Sequence, residues 1–104
     1  MNRHYLAGRR WEYEICKRLK NDGWSVVRSA GSKGLWDVTG LRDDKGLLED
    51  GVAVILIQAK RGASRWQDAN WARLKAKARR LPDFVLVQAW VKRPDGTEEI
   101  HNAR

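Results

Sequence analysis

An aspartate, a glutamine and a lysine stand where two apolar runs of this chain could bring them together. Val52-Ala53-Val54-Ile55-Leu56-Ile57 leads straight into Gln58-Ala59-Lys60, and Trp36-Asp37-Val38-Thr39-Gly40-Leu41 lies upstream. Side chains alternate faces along a strand, so Val54, Leu56, Gln58 and Lys60 share one side, and Asp37 faces the same way as Thr39 and Leu41. The stretch between, from Asp43-Asp44-Lys45-Gly46 to Glu49-Asp50-Gly51, is a turn-rich connector. Folded back about it as a hairpin, the strands set Asp37 opposite the Gln58/Lys60 end. A carboxylate, an amide oxygen and an ammonium on one patch suit a hard divalent cation and a phosphate. In that reading Asp37 anchors the ion, and the Gln58 side-chain oxygen and the Ala59 carbonyl are further ligands. Lys60 orients an attacking water or stabilises developing charge. Phosphodiester hydrolysis is the chemistry this set fits. The plainer reading also stands: Gln58 and Lys60 as the exposed polar end of a strand, and Asp37 as a turn-flanking residue.

The elements that must position these groups are legible on either side. Residues 3–21 read as a helix closed by Asn21-Asp22-Gly23, with Gly23 free to take the left-handed cap conformation. Trp11, Ile15 and Leu19 recur at i, i+4 and i+8, and Cys16 widens the stripe. Glu12 sits at or beside that apolar face, while Glu14, Lys17 and Lys20 look outward. An inward carboxylate is costly unless paired or coordinated, so Glu12 is either a ligand to the ion or its water, or a helix-border residue in an ordinary salt bridge. Trp24, Val26 and Arg28 share a face of the next strand. The loop Ser29-Ala30-Gly31-Ser32-Lys33-Gly34 lets a phosphate approach closely, or is a plain connector. After Arg61-Gly62-Ala63, Ser64 is a fair N-cap for a helix running to about Arg80, ahead of Pro82, with Trp71, Leu74, Ala78 and Leu81 as its buried stripe. Phe84 to Val91 is a buried strand, Pro94-Asp95-Gly96 a turn, and Thr97 to His101 a short edge strand. This is an α/β order: one small domain over residues 1–104, with a mixed central sheet of about five strands flanked by helices.

The chain has 104 residues and a net charge of +8, and the charge is unevenly placed. Between Arg61 and Leu81 there are seven basic residues against one acidic residue, immediately after Lys60. A polyanion is the partner such a stripe selects, nucleic acid before an anionic membrane, although a basic helix can also be a solvated face. The single cysteine excludes a disulfide framework and a thiolate metal cluster, and places Cys16 as a small core residue. The sequence has no membrane-spanning apolar run and no signal-peptide pattern, so it reads as intracellular and cytoplasmic. Six tryptophans are many for this length. Trp66 lies off its helix's buried stripe, and His4 and His101 carry no partner pattern.

Asp37, the intervening strand and Gln58-Ala59-Lys60 resemble the core of the PD-(D/E)XK nucleases, with Glu12 in the place of the helix-one acid. More narrowly, Gly8-Arg9-Arg10-Trp11-Glu12, Asp22-Gly23-Trp24-Ser25-Val26-Val27-Arg28 and Ser29-Ala30-Gly31-Ser32-Lys33 resemble the archaeal-type Holliday junction resolvases. The resemblance runs over residues 8–60 and is only topological from 64 to 91. It implies a homodimeric endonuclease that cuts four-way DNA junctions symmetrically, with Mg2+ as its metal, Mn2+ as a substitute and no small-molecule cofactor. It carries function to Glu12, Arg28, Ser32, Asp37, Gln58 and Lys60: Arg28 and Ser32 as phosphate or active-site contacts, the other four as the metal and catalytic set. Arg9, Arg10, Lys33, Arg61, Arg65, Lys75 and Arg79 complete the expected DNA surface. The chain departs from the family at Gln58, where a glutamate is usual, and at Tyr13, where an arginine is usual. Its compactness suits a virus-encoded version. Two alternatives remain open beside junction resolution. One is a nuclease of the same superfamily acting on other branched or duplex DNA. The other is an inactive DNA-binding relative, with Gln58 as the lesion.

Overall fold

Helix α1 (Arg3–Asn21) forms where the apolar residues repeat with helical spacing, and its end is fixed by geometry that the sequence announces. Gly23 has a φ of 90°, the Gly23 N–H bonds the Lys20 carbonyl at 3.1 Å and the Trp24 N–H reaches back to the Leu19 carbonyl at 3.0 Å. These are the paired bonds of a Schellman cap, and Trp24 and Leu19 complete it by packing in the same core. The computed structural model describes residues 3–29, 36–43, 51–62 and 68–103. The expected phosphate loop beyond Ser29, the acidic connector, the Ser64 cap and Trp66 lie outside the described residues.

Five strands follow among the described residues, and their order across the sheet is their order in the chain. β1 (Ser25–Arg28), β2 (Val38–Asp43) and β3 (Val52–Arg61) form an antiparallel meander. β4 (Val85–Lys92) lies parallel to β3, which requires a crossover, and α2 (Asp68–Ala78) provides it. β5 (Glu98–Asn102) returns antiparallel through a turn where Gly96 has a φ of 91° and the Thr97 N–H bonds the Asp95 carboxylate at 2.9 Å. The expected α/β domain with a five-stranded mixed sheet is what forms. Boundaries move by one or two residues. β2 starts at Val38 and not Trp36, β4 runs on to Lys92 and leaves Phe84 exposed, and α2 gives way to a turn after Ala78.

Alternation along β3 divides the core in two. Ala53, Ile55 and Ile57 pack with Trp11, Ile15, Cys16, Leu19 and Trp24 under α1. Val54 and Leu56 face the other way, to Trp71, Leu74, Ala78, Val85 and Val87 around α2. Trp11, Ile15, Ile57, Leu74, Val38 and Val87 are fully buried, and each such side chain contributes roughly 2 kcal/mol by leaving water. The Trp11 indole N–H is satisfied by the Trp90 carbonyl at 3.0 Å, which ties α1 to β4. Gly40 lets Trp24 lie flat on β2: a Cβ there would stand 2.8 Å from the Ile55 side chain and 3.2 Å from the indole. α2 covers only part of its face, and Val27, Leu41 and Val52 on the remainder are exposed.

Candidate functional site

Asp37 sits at the mouth of the sheet, one residue before β2, and three backbone bonds hold it there. Its N–H bonds the Ile57 carbonyl at 2.9 Å, and its carbonyl accepts the Ser29 N–H at 2.9 Å. Its Oδ2 accepts the Ala59 N–H at 2.8 Å. Val38 is the residue in register with Ile57, so Asp37 and Val38 together lie across from one residue of β3. That is a bulge, and it breaks the alternation from which Asp37 is expected to share the face of Thr39 and Leu41. The expected apposition holds: Asp37 faces the Gln58-Ala59-Lys60 end of β3. The cause is visible in the strand lengths. β3 continues past the start of β2, leaving the Ala59 N–H without a ladder partner, and the carboxylate takes that place. The Ala59 carbonyl projects from the same edge of the strand as its N–H, towards Asp37.

Gln58 and Lys60 follow on alternate positions, as expected. The Gln58 Oε1 atom is buried and accepts no hydrogen bond among the described residues. Buried acceptors of this kind are rare in folded proteins and point to something that completes them. Lys60 is exposed, and its charge favours the ionised form of Asp37. Glu12 comes from α1, its side chain 13% exposed, with Arg28 Nη1 at 3.2 Å from Oε2. So Glu12 does make the salt bridge of the plainer reading, but that does not settle its charge.

Burial pushes the Glu12 carboxyl above the ordinary range, the Asp37 charge adds to this, and Arg28 only partly offsets it. Burial likewise raises Asp37, against the pull of the Ala59 N–H and Lys60. Two carboxylates that resist ionising lie near one another, and Gln58, with an amide oxygen that has no donor among the described residues, points to the α2 face of β3 in register with Ala89. Among the described residues no group of three or more His, Cys, Asp and Glu side chains is placed to hold a metal ion, and the oxygens offered by the expected ligands are the Glu12 and Asp37 carboxylates, the Gln58 amide and the Ala59 carbonyl. All four are hard oxygens, the donors that Mg2+ and Mn2+ take. The residues fit such an ion.

The expected DNA-contacting residues fall on two faces. Arg9 and Arg28 meet at the Tyr13 ring on the α1 side, and Arg10 is exposed beside them. Arg61 is exposed at the end of β3. On the α2 side Lys75 lies 5.6 Å from the Trp71 ring centroid, and Arg79 is exposed just past the helix. Ser32, Lys33 and Arg65 lie outside the described residues. Tyr13 belongs with the site although the sequence marks it only as a departure. Its spacing from Arg9 is readable as a helical i, i+4 contact, but Arg28 reaches it only through the fold.

No protein-family model matches this chain, and no curated protein matches it in sequence. Among solved structures it is similar to Hjc of Archaeoglobus fulgidus, a Holliday junction resolvase from an archaeal hyperthermophile. The two share a fold. The TM-score is 0.61 over 93% of this chain and 73% of that one, at 17% sequence identity. At that identity the likeness shows the architecture alone.

Proposed function

We propose that this protein is a structure-selective DNA endonuclease that resolves four-way junctions by metal-dependent phosphodiester hydrolysis. The observation that carries the reading is the bulge at Asp37, which presents a raised-pKa carboxylate to the Ala59 N–H, next in the strand to Gln58 with its unpartnered oxygen, in a sheet whose fold is shared with a resolvase. Asp37, Gln58 and the Ala59 carbonyl would hold Mg2+ or Mn2+, with Glu12 as a further carboxylate. When bound, that ion supplies positive charge to the phosphate and makes water more acidic.

The chain's own residues account for the rest. Asp37 is immobilised by its three backbone bonds, so it needs no reorganisation to receive a ligand. Lys60, exposed beside it, donates hydrogen bonds to an oxygen of the phosphate as negative charge develops there. A water oxygen bonds to phosphorus and gives up a proton to solvent, the bond to the leaving oxygen breaks, and that oxygen takes up a proton from solvent. Arg28 and Ser32 bind the phosphates flanking the cut. The basic residues of α2, on the opposite face from Arg28, hold another part of the branched substrate. A homodimer gives two such sites for two equivalent strands, a match of symmetry between protein and junction.

One observation favours a second reading, an inactive DNA-binding relative: the strand position beside Asp37 carries a neutral amide in place of a carboxylate. A gel assay on a labelled four-way junction decides between them, run with Mg2+ and with EDTA beside a linear duplex of the same sequence. Paired nicks in the junction alone, only with Mg2+, are the expected result. Cutting of both substrates leaves a general nuclease, and a retarded junction that is never cut leaves a binding protein.

A further inference from the structure

Tyr13 is 49% exposed and belongs to neither core cluster, yet two cationic side chains converge on it. Arg9, one turn earlier on α1, donates from Nη2 to the phenol oxygen at 3.1 Å, with its guanidinium carbon 5.5 Å from the ring centroid. Arg28, from the end of β1, brings its guanidinium carbon to 4.8 Å from the same centroid. Like charges in water separate unless something collects them. Here the negative face of the ring attracts both guanidiniums, and the Glu12 carboxylate anchors one of them at 3.2 Å. Two guanidiniums from different elements thus lie on one ring, next to Glu12. The phenol itself is pulled towards ionisation, by the Arg9 hydrogen bond first and the Arg28 charge next, which reflects the same cationic surroundings.

We propose that Tyr13 is a positioning residue that gathers Arg9 and Arg28 into a two-arginine clamp for one phosphodiester next to the Asp37 site. Each guanidinium offers a planar fork that matches phosphate oxygens, and the shared ring sets the two forks at a fixed spacing. The Tyr13 oxygen accepts from Arg9, so its own O–H remains a donor for a phosphate oxygen. Where the related resolvases usually carry an arginine, this chain instead uses an aromatic residue to organise two arginines that come from different elements. The inference rests on the DNA-substrate reading above but not on cleavage.

The test follows the Arg9 and Arg28 side-chain Nε–Hε signals by NMR in the full chain while inorganic phosphate is added. In the wild type both signals shift together along one binding curve. Tyr13→Leu is expected to weaken phosphate binding about fivefold to tenfold, the effect of losing two exposed cation–π contacts. Tyr13→Phe keeps the ring and is expected to stay within about twofold of the wild type. Arginine signals that ignore phosphate, or a Tyr13→Leu protein that binds it as the wild type does, would overturn the clamp. Should Tyr13→Leu melt at lower temperature, Tyr13→Phe decides, because a loss as deep as leucine's removes the stacking argument. A second readout is junction binding in EDTA as salt is varied, where Tyr13→Leu should reduce the salt slope by about one phosphate contact and an unchanged slope counts against the clamp. Phosphate binding without any junction cleavage would leave the clamp standing while the nuclease reading fails.

Discussion

Helix α1 carries two glutamates two residues apart, and the fold treats them in opposite ways. Glu14 joins Arg18 at 2.7 Å and Lys92 at 3.1 Å, and Arg18 also reaches Glu98 at 2.6 Å. This network pins α1 to β4 and β5, and both acids are held below the ordinary carboxylate range, Glu14 chiefly by Lys92 and Glu98 chiefly by Arg18. Glu14 looks outward as its helical position suggests, and there it acts as a fastening. Glu12 has a salt bridge to Arg28, a part-buried setting and Asp37 for company, and its carboxyl is held high. One cluster is complete within the protein. The other is left wanting a cation, and that difference separates a structural ion-pair network from a binding site that reads similarly in sequence.

The largest expected consequence lies at Asp37. Asp37→Asn keeps an oxygen for the Ala59 N–H but loses the charge, so junction cleavage should fall at least about a hundredfold while junction binding in EDTA is unchanged. Retained cutting would remove Asp37 from the site. The same variant breaks the comparison in a second way. A carboxyl whose folded pKa is raised gives stability that is fully present below its unfolded pKa and is lost as pH rises through the folded one. The metal-free wild type should thus lose stability as pH climbs upward from the ordinary carboxylate range, as Asp37 and Glu12 are forced to ionise. Asp37→Asn should flatten that fall and melt higher than the wild type at neutral pH, as read by thermal melts in EDTA across pH.

Metal should close the gap between the two clusters. An ion that binds only the folded protein stabilises it by about 2.7 kcal/mol at a hundred times its dissociation constant. Added Mg2+ or Mn2+ should therefore raise the melting temperature of the wild type at neutral pH and leave Asp37→Asn where it was. Equal shifts in both would place the ion elsewhere. Gln58→Glu restores a charge at the orphaned oxygen and should lower the Mg2+ concentration needed for cleavage severalfold. An unchanged requirement would count against Gln58 as a ligand.

Much of this was legible because local signals agreed with the global fold. The Trp11-Ile15-Leu19 spacing, Gly23 as a left-handed cap, and the alternation through Val52–Ile57 each found the structure they specify. The pairing of Asp37 with the Gln58 end followed from two strands and a turn-rich connector. What the sequence could not show depends on relative strand lengths and on contacts between distant elements. The Asp37 bulge exists because β3 outruns β2, and no local pattern encodes that. Arg28 meets Tyr13 only because β1 lies beneath α1, and Glu14 meets Lys92 across 78 positions of chain. Period-2 reasoning failed at one residue near the site, where the backbone abandons regularity to aim a carboxylate.

The smallest effect belongs to the fastening. Glu14→Gln removes the charge that Arg18 and Lys92 share, on a side chain that is 39% exposed, so solvent already screens most of the attraction. The expected loss is about 0.5 kcal/mol, shrinking as salt is added, with junction cleavage unaltered. Its pH signature should be the mirror image of the one at Asp37. The folded pKa of Glu14 is depressed, so its contribution is present above the unfolded pKa and vanishes as pH falls through the folded one. Wild type and Glu14→Gln should accordingly converge in acid and part at neutral pH. If Glu14→Gln instead reduced cleavage as Asp37→Asn does, the two glutamates would not be separate systems, and the contrast that locates the site would be lost.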